Sequence, residues 1–245
     1  VHYLEDLGFV CRFFIGTLPR WKRLIDEGVP VLLSVDYEQS SHVQVLFGYD
    51  ERLEAFYVQD PNLFDPFVVS EDELAKWYAG THYLSIVALP REKAALAAEL
   101  PEEEDRYFRE LHALAEKMDE DEQAHFAVFV AFLRKHEHIP YTWLYVMKHF
   151  SSDEAKPLVL EYTERVLNEY PEHNDLLLMA AKAYVYTQEM EKAEDVLKRV
   201  KGKAQSPLYH YLRGRIAFFA SRYEEAARYF RTSLQLDPDQ PEVWS

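Results

Sequence analysis

From Pro90 to Lys201 the chain contains no glycine and is rich in helix formers, whereas the residues ahead of Pro90 run in short alternating stretches. Period-2 alternation belongs to half-buried strands and the 3.6-residue period to amphipathic helices. The chain therefore divides into a strand-bearing first part and a helical remainder. Its 245 residues suit one large or two ordinary domains. Nearly half are hydrophobic (48%), so each part can build a sizeable core. The boundaries expected are 1–92 for the first domain, 93–139 for a helical linker and helix hairpin, and 140–245 for a set of repeats.

The strongest strand signal is residues 41–50 and their return, residues 55–61. Val43, Val45 and Phe47 alternate with His42, Gln44 and Leu46, and the return puts Phe56, Val58 and Asp60 on one face. Asp50, Glu51 and Arg52 between them are turn-like. A turn centred on Glu51 sets His42 directly across from Asp60, with Cβ atoms about 4.5–5.5 Å apart. An imidazole and a carboxylate so placed can hydrogen-bond. The carboxylate fixes the tautomer and leaves the other ring nitrogen as a base, which is two thirds of a nucleophile–His–Asp triad. A surface histidine at a strand start and a plain Asp-Pro turn would give the same letters.

Around this hairpin, residues 2–7 read as a helix tail ended by Gly8, and 9–14 as a strand. Thr17 caps a helix over 19–27 that buries Trp21, Leu24 and Ile25. Residues 30–37 form a central strand, 62–69 a loop. Ser70 with Glu73 makes a capping box for a helix carrying Leu74, Trp77 and Tyr78, and 82–89 a closing strand. An antiparallel sheet with helices is an α+β architecture.

Gly28-Val29-Pro30-Val31-Leu32-Leu33, Ser41-His42-Val43-Gln44-Val45, Gly48-Tyr49-Asp50 and Val58-Gln59-Asp60-Pro61 follow one another in an order and spacing that resembles a known family. The family is the papain-like cysteine peptidases related to the bacteriocin (double-glycine) leader peptidases, and the likeness covers about the first 90 residues. The resemblance implies half of a papain-like fold, with His42 as base and Asp60 as orienting acid. In that family the nucleophilic cysteine opens a helix far upstream of the histidine, with a glutamine just before it. Here the one cysteine, Cys11, stands 31 residues before His42 in a strand-like run. A nucleophilic thiol wants a helix N-terminus, so Cys11 reads as a buried structural thiol. The chain also begins with Val. The expectation is a fragment whose nucleophile lies ahead of Val1, inactive by itself. Its surface around His42, Gln44 and Leu46 should then be apolar and exposed.

In the helical part, residues 91–100 read as helix or helical linker. Pro101 opens a helix whose acidic first turn, Glu102 to Asp105, suits the positive end of the helix dipole and should be solvated. Leu111, Leu114 and Ala115 stripe that helix. The next carries Phe126, Phe129, Val130 and Leu133 and ends in a solvated His136-Glu137-His138.

From Pro140 onward the sequence repeats. Ala193 and Ala226 stand 33 residues apart as the small residues of successive second helices. Residues 207–240 make the best copy, with Gly214, Ala226, Phe230 and Pro238. Residues 174–201 carry Ala181, Tyr184, Ala193 and Leu197. Residues 140–173 keep Trp143 and Pro171 but have Val159 at the small position. Arg213 stands where leucine is expected, and Pro241 to Trp244 begin another unit. The pattern resembles the tetratricopeptide repeat, a helix hairpin of about 34 residues. Stacked hairpins make an all-α solenoid with a groove for a protein or peptide partner. A unit cut after Trp244 should leave Val196 and Tyr229 more exposed.

The net charge of −16 argues against nucleic acid and anionic membrane surfaces. No run of 18 apolar residues could span a membrane. A lone cysteine permits no internal disulfide and favours the cytoplasm. No glycine-rich phosphate loop, His-Glu-x-x-His or paired-cysteine motif is present, so no cofactor or metal is expected. Three readings remain: a cysteine peptidase or acyl-transfer domain with a substrate-selecting repeat module, a non-catalytic papain-like shell on a repeat scaffold, and an interaction protein whose first domain is unrelated. Oligomeric state is not legible.

Overall fold

A computed structural model describes residues 1–37, 40–150 and 152–238. It divides into two compact units, Val1–His138 and Ile139 onward.

The first unit runs α1 (His2–Asp6), β1 (Val10–Ile15), α2 (Leu18–Asp26), β2 (Val31–Tyr37), β3 (Ser40–Asp50), β4 (Ala55–Gln59), β5 (Phe67–Ser70), α3 (Glu71–Tyr78) and β6 (Leu84–Leu89). A 3-10 segment (Arg91–Glu99) leads to α4 (Glu102–Glu120) and α5 (Glu122–Lys135). The strands form one antiparallel sheet in the order β1-β6-β2-β3-β4-β5. Helices α2 and α3 bury their apolar sides in one core with the sheet, where Phe14, Trp21, Leu24, Leu33, Leu46, Phe56, Leu74 and Tyr78 meet. The caps are those the sequence suggests: Thr17 accepts from the Arg20 amide and Ser70 from the Glu73 amide. Gly16 makes room for Trp21, since a Cβ there would lie 2.2 Å from the indole. The indole in turn donates to Ser85 at 2.9 Å.

Part of the expected loop over 62–69 is strand. Phe67–Ser70 pairs with β4 and becomes the sheet edge, with β-branched Val68 and Val69 at its centre. The acidic start of α4 is not simply solvated either. β1 is the other edge, and an open edge exposes unpaired amides. Asp105, buried, accepts from the Phe13 amide at 2.9 Å, and Glu104 from the Ile15 amide at 2.7 Å. Arg109 donates to the Cys11 carbonyl at 3.0 Å and also binds Asp105. These side chains stand in for a neighbouring strand. Tyr107, Phe108 and Leu111, rather than Leu114 and Ala115, form the buried stripe of α4. His136 is likewise buried at the end of α5, packed on Phe132 and Tyr107 at 4.6 and 5.2 Å between ring centres. Burial lowers its pKa.

In the second unit the described residues form three helix hairpins: α6 (Pro140–His149) with α7 (Lys156–Glu169), α8 (Asn174–Tyr186) with α9 (Met190–Arg199), and α10 (Pro207–Phe219) with α11 (Tyr223–Leu236). Helix α8 packs against both α6 and α10. A Cβ on Gly214 would stand 2.5 Å from the Phe230 ring, so glycine sets the approach of α10 to α11. Ala193 and Ala226 are buried, and so is Val159 at its place in α7. Arg213 pairs with Glu194 at 2.8 Å. Val196, expected to be more exposed, is buried, because α10 packs against α9; Tyr229 is half-buried. The further unit expected from Pro241 lies outside the described residues.

Candidate active site

The hairpin that brings the site together is not a simple two-strand ladder. Asp50 pairs with Ala55, Tyr49 with Phe56 and Gly48 with Tyr57; beyond a register shift, Leu46 pairs with Val58 and Val45 with Gln59. The turn spans residues 51–54. Asp50 Oδ1 accepts from the Arg52 and Leu53 amides at 2.8 and 3.3 Å, and Glu54 takes a left-handed conformation (φ 47°). This register corrects the sequence expectation: Gln44, not His42, stands opposite Asp60, and His42 is diagonal to it. Phe47 is the extra residue of a bulge, and its effect is decisive. Continued unbroken from the turn, the ladder would set Asp60 against Val45, on the face away from His42. One inserted residue returns both to the same face.

His42 Nε2 lies 2.8 Å from Asp60 Oδ2, and Gln44 Nε2 donates to the same oxygen at 2.7 Å. The other carboxylate oxygen accepts from the Asn62 amide at 2.8 Å. From α3, the Tyr78 hydroxyl donates to Gln44 Oε1. The Asp60 carboxyl is held below its ordinary pKa, first by Gln44, then by the Asn62 amide and His42, against the opposing effect of burial. A carboxylate so held accepts the Nε2 proton of His42 and thereby sets the ring's tautomer.

The surface expected to be open here is closed. Gln44 and Leu46 are 4% and 0% exposed, and the His42 side chain keeps 17%. Leu46 belongs to the core beneath α2 and α3, and Gln44 is tied to Tyr78. The apolar residues of β3 that do reach the surface are Val43 and Phe47, on the opposite face.

Cys11 is buried in β1, and burial together with the nearby Glu5 charge raises its thiol pKa. Strands β6 and β2 separate β1 from β3, about 14 Å at three strand spacings. Its face is also the wrong one. Register carries Phe14 to Ser85, Leu33 and Gln44 on one side, and Cys11, an odd step from Phe14, projects from the other. Among the described residues no group of three His, Cys, Asp or Glu side chains is placed to hold a metal ion.

Gln44 and Tyr78 are the participants that sequence reasoning missed. The signal for Gln44 was present, since a residue two after His42 on a strand shares its face. Nothing local marked Tyr78, which reads as ordinary helix core.

An α+β domain with a paired histidine and aspartate, followed by helix hairpins, describes the class. Residues 15–86 match the model of the Peptidase_C39 like family, and residues 153–216 and 207–240 match tetratricopeptide repeat models. The chain thus joins a peptidase-like domain to repeats. The first match includes His42 and Asp60 and leaves out Cys11. No curated protein matches the chain. Among the described residues no helix is long and apolar enough to cross a membrane.

Proposed function

We propose that the first domain, residues 1–92, supplies the general base and orienting acid of a thiol-dependent peptidase or acyl-transfer site. The tetratricopeptide repeats from residue 140, joined through residues 93–139, bind a protein or peptide partner. The observation that carries the catalytic half is the 2.8 Å contact of His42 Nε2 with Asp60 Oδ2 inside the segment that matches a peptidase-like family. With Nε2 on Asp60, the base is His42 Nδ1. It takes the proton of a cysteine thiol, the thiolate attacks the scissile carbonyl, and the imidazolium returns the proton to the leaving amine. Cys11 cannot be that thiol, for the reasons of burial, face and distance above. Residues 1–245 alone are therefore expected to be inactive. The single cysteine suits a reducing compartment such as the cytoplasm.

The same poor placement of Cys11 favours a second reading, in which the papain-like domain is a binding shell on a repeat scaffold. A thiol-directed acyloxymethyl ketone probe separates the two on the full-length protein. Labelling of a cysteine other than Cys11 that disappears in His42→Ala supports the enzyme. Labelling indifferent to His42, or none, supports the shell.

A further inference from the structure

The two edges of the sheet are finished differently. At β1 the side chains of Asp105, Glu104 and Arg109 take up the main-chain groups of Phe13, Ile15 and Cys11. Nothing comparable stands at β5. Its antiparallel pairing sets Phe56 against Val69 and Val58 against Phe67, and the Glu71 amide donates to the Glu54 carbonyl at 2.8 Å where the ladder ends. Along a strand the main-chain groups point to alternate sides. Phe67 and Val69 therefore face β4, and Val68 and Ser70 face outward. Among the described residues no partner hydrogen-bonds the Val68 amide, the Val68 carbonyl or the Ser70 amide.

Sheet edges are commonly guarded by charge or by a bulge. Phe67–Ser70 holds no charged residue, and its register with β4 is unbroken. The ground beside the edge is apolar on both faces. Away from the core lie Val68 and Phe47, both exposed, with the Tyr57 ring 6.2 Å from that of Phe47. On the core side the Phe67 ring stands 6.1 Å from that of Trp77 on α3, which is also exposed. Charge begins at the ends of the strand, with Asp65 ahead of it and Glu71, Asp72 and Glu73 behind. Glu71 is held by Lys22 and Glu73 by Lys76. Asp65 and Asp72 have no cation within ion-pair distance among the described residues.

From this arrangement we infer that the β5 edge takes up one more strand: an extended segment of a partner protein, apolar over about four residues and basic at either end. This goes beyond the proposed function, since it gives the first domain a docking surface apart from the His42–Asp60 pair and from the repeats. The Val68 amide and carbonyl and the Ser70 amide supply pairing that any sequence can meet, and the alternate side chains of the added strand supply selectivity. Those side chains fall on Val68, Phe47 and Tyr57 on one face and on Phe67 and Trp77 on the other. Basic ends meet Asp65 and Asp72. A second copy of the chain is the poorer occupant. It brings the same acids to the same edge, and residues 1–138 carry 27 Asp and Glu against 13 Lys and Arg, a balance of −14.

The test uses the whole chain and a labelled peptide, Lys-Val-Thr-Tyr-Val-Lys, in anisotropy titrations, with amide hydrogen exchange followed by NMR. Binding should saturate and slow exchange at the Val68 and Ser70 amides, leaving Phe67 and Val69 unchanged. Glutamate in place of the two flanking lysines should weaken binding about fivefold at low salt, and the difference should shrink as salt rises. Val68→Pro removes the outward N–H and leaves the ladder to β4 intact, because proline is tolerated where an edge amide faces solvent. It should lower affinity about three- to tenfold, the loss of one hydrogen bond, with a thermal melt to check folding. Two peptides N-methylated at alternate positions make the same test without altering the protein: one should lose binding and the other keep it. Protection confined to other amides, equal binding by the glutamate-flanked peptide or by both methylated peptides, or no binding by the lysine-flanked peptide overturns the inference. So does a dimer in sedimentation equilibrium that Val68→Pro dissociates, which gives the edge to a second copy.

Discussion

Replacing Gln44 by leucine tests how the site is held. Gln44 gives one hydrogen bond to the Asp60 carboxylate at 2.7 Å and receives one from the Tyr78 hydroxyl, all three side chains being buried. A hydrogen bond to a charged group contributes about 1.5–3 kcal/mol, and stripping a buried hydroxyl of its acceptor costs about 1–3 kcal/mol. Leucine returns about 1 kcal/mol through the apolar surface it adds to the core. Gln44→Leu should therefore lower stability by about 3 kcal/mol. Tyr78→Phe alone should cost about 1 kcal/mol, because it leaves Gln44 Oε1 without that donor. Made together, the two remove donor and acceptor at once, so the double variant should be more stable than the sum predicts by at least about 1 kcal/mol. Urea unfolding of the four proteins measures this, and carbon-13 titration of the Asp60 carboxyl should show its pKa rising in Gln44→Leu. Additive effects with an unmoved Asp60 titration would refute the chain from Tyr78 through Gln44 to Asp60.

Gly214→Ala sets a helix-propensity gain of about 1 kcal/mol against a Cβ placed 2.5 Å from the Phe230 ring. Overpacking of that kind costs about 1–3 kcal/mol, so thermal unfolding should show a net loss; a stabilised variant would mean the helix approach is loose. Asp105→Ala should speed hydrogen exchange at the Phe13 amide and destabilise the first unit by about 3 kcal/mol, since it also deprives Arg109 of a partner; unchanged exchange would deny Asp105 its role at the sheet edge. Burial lowers the His82 pKa to about 4 and that of His136 in the same direction. The unfolded chain then binds more protons than the folded one between about pH 6.5 and pH 4, so stability present above that window is lost as pH falls through it, by up to about 3 kcal/mol for His82. His82→Asn, which suits the left-handed backbone there (φ 46°), should flatten that fall in urea midpoints taken at pH 7 and pH 4.5; an equally steep fall would place the acid sensitivity elsewhere.

The sequence made the α+β domain and the repeats legible because both rest on local pattern: alternation in β3, caps at Thr17 and Ser70, and small residues at Gly214 and Ala226 that the packing needs. What it hid were non-local matters. Gly48 beside Phe47 is the kind of strand glycine that can mark a bulge, but it does not say how far the register moves, so the partner of Asp60 could not be read; the step from the expected His42 to the observed Gln44 is two residues and keeps the shared face. The acidic start of α4 looked like dipole chemistry, and only the tertiary fold reveals that Glu104 and Asp105 meet amides some 90 residues earlier in the chain. His136 looked solvated because its burial depends on Tyr107, a partner in another helix.

The most direct test of the central claim, that Asp60 holds His42 as a base, is the tautomer of the His42 ring. Nitrogen-15 NMR of the chain, under conditions where that ring is neutral, should show the proton on Nε2 and an unprotonated Nδ1. In Asp60→Ala that preference should be lost. A ring protonated on Nδ1 in the wild type, or a tautomer indifferent to Asp60, would contradict the account.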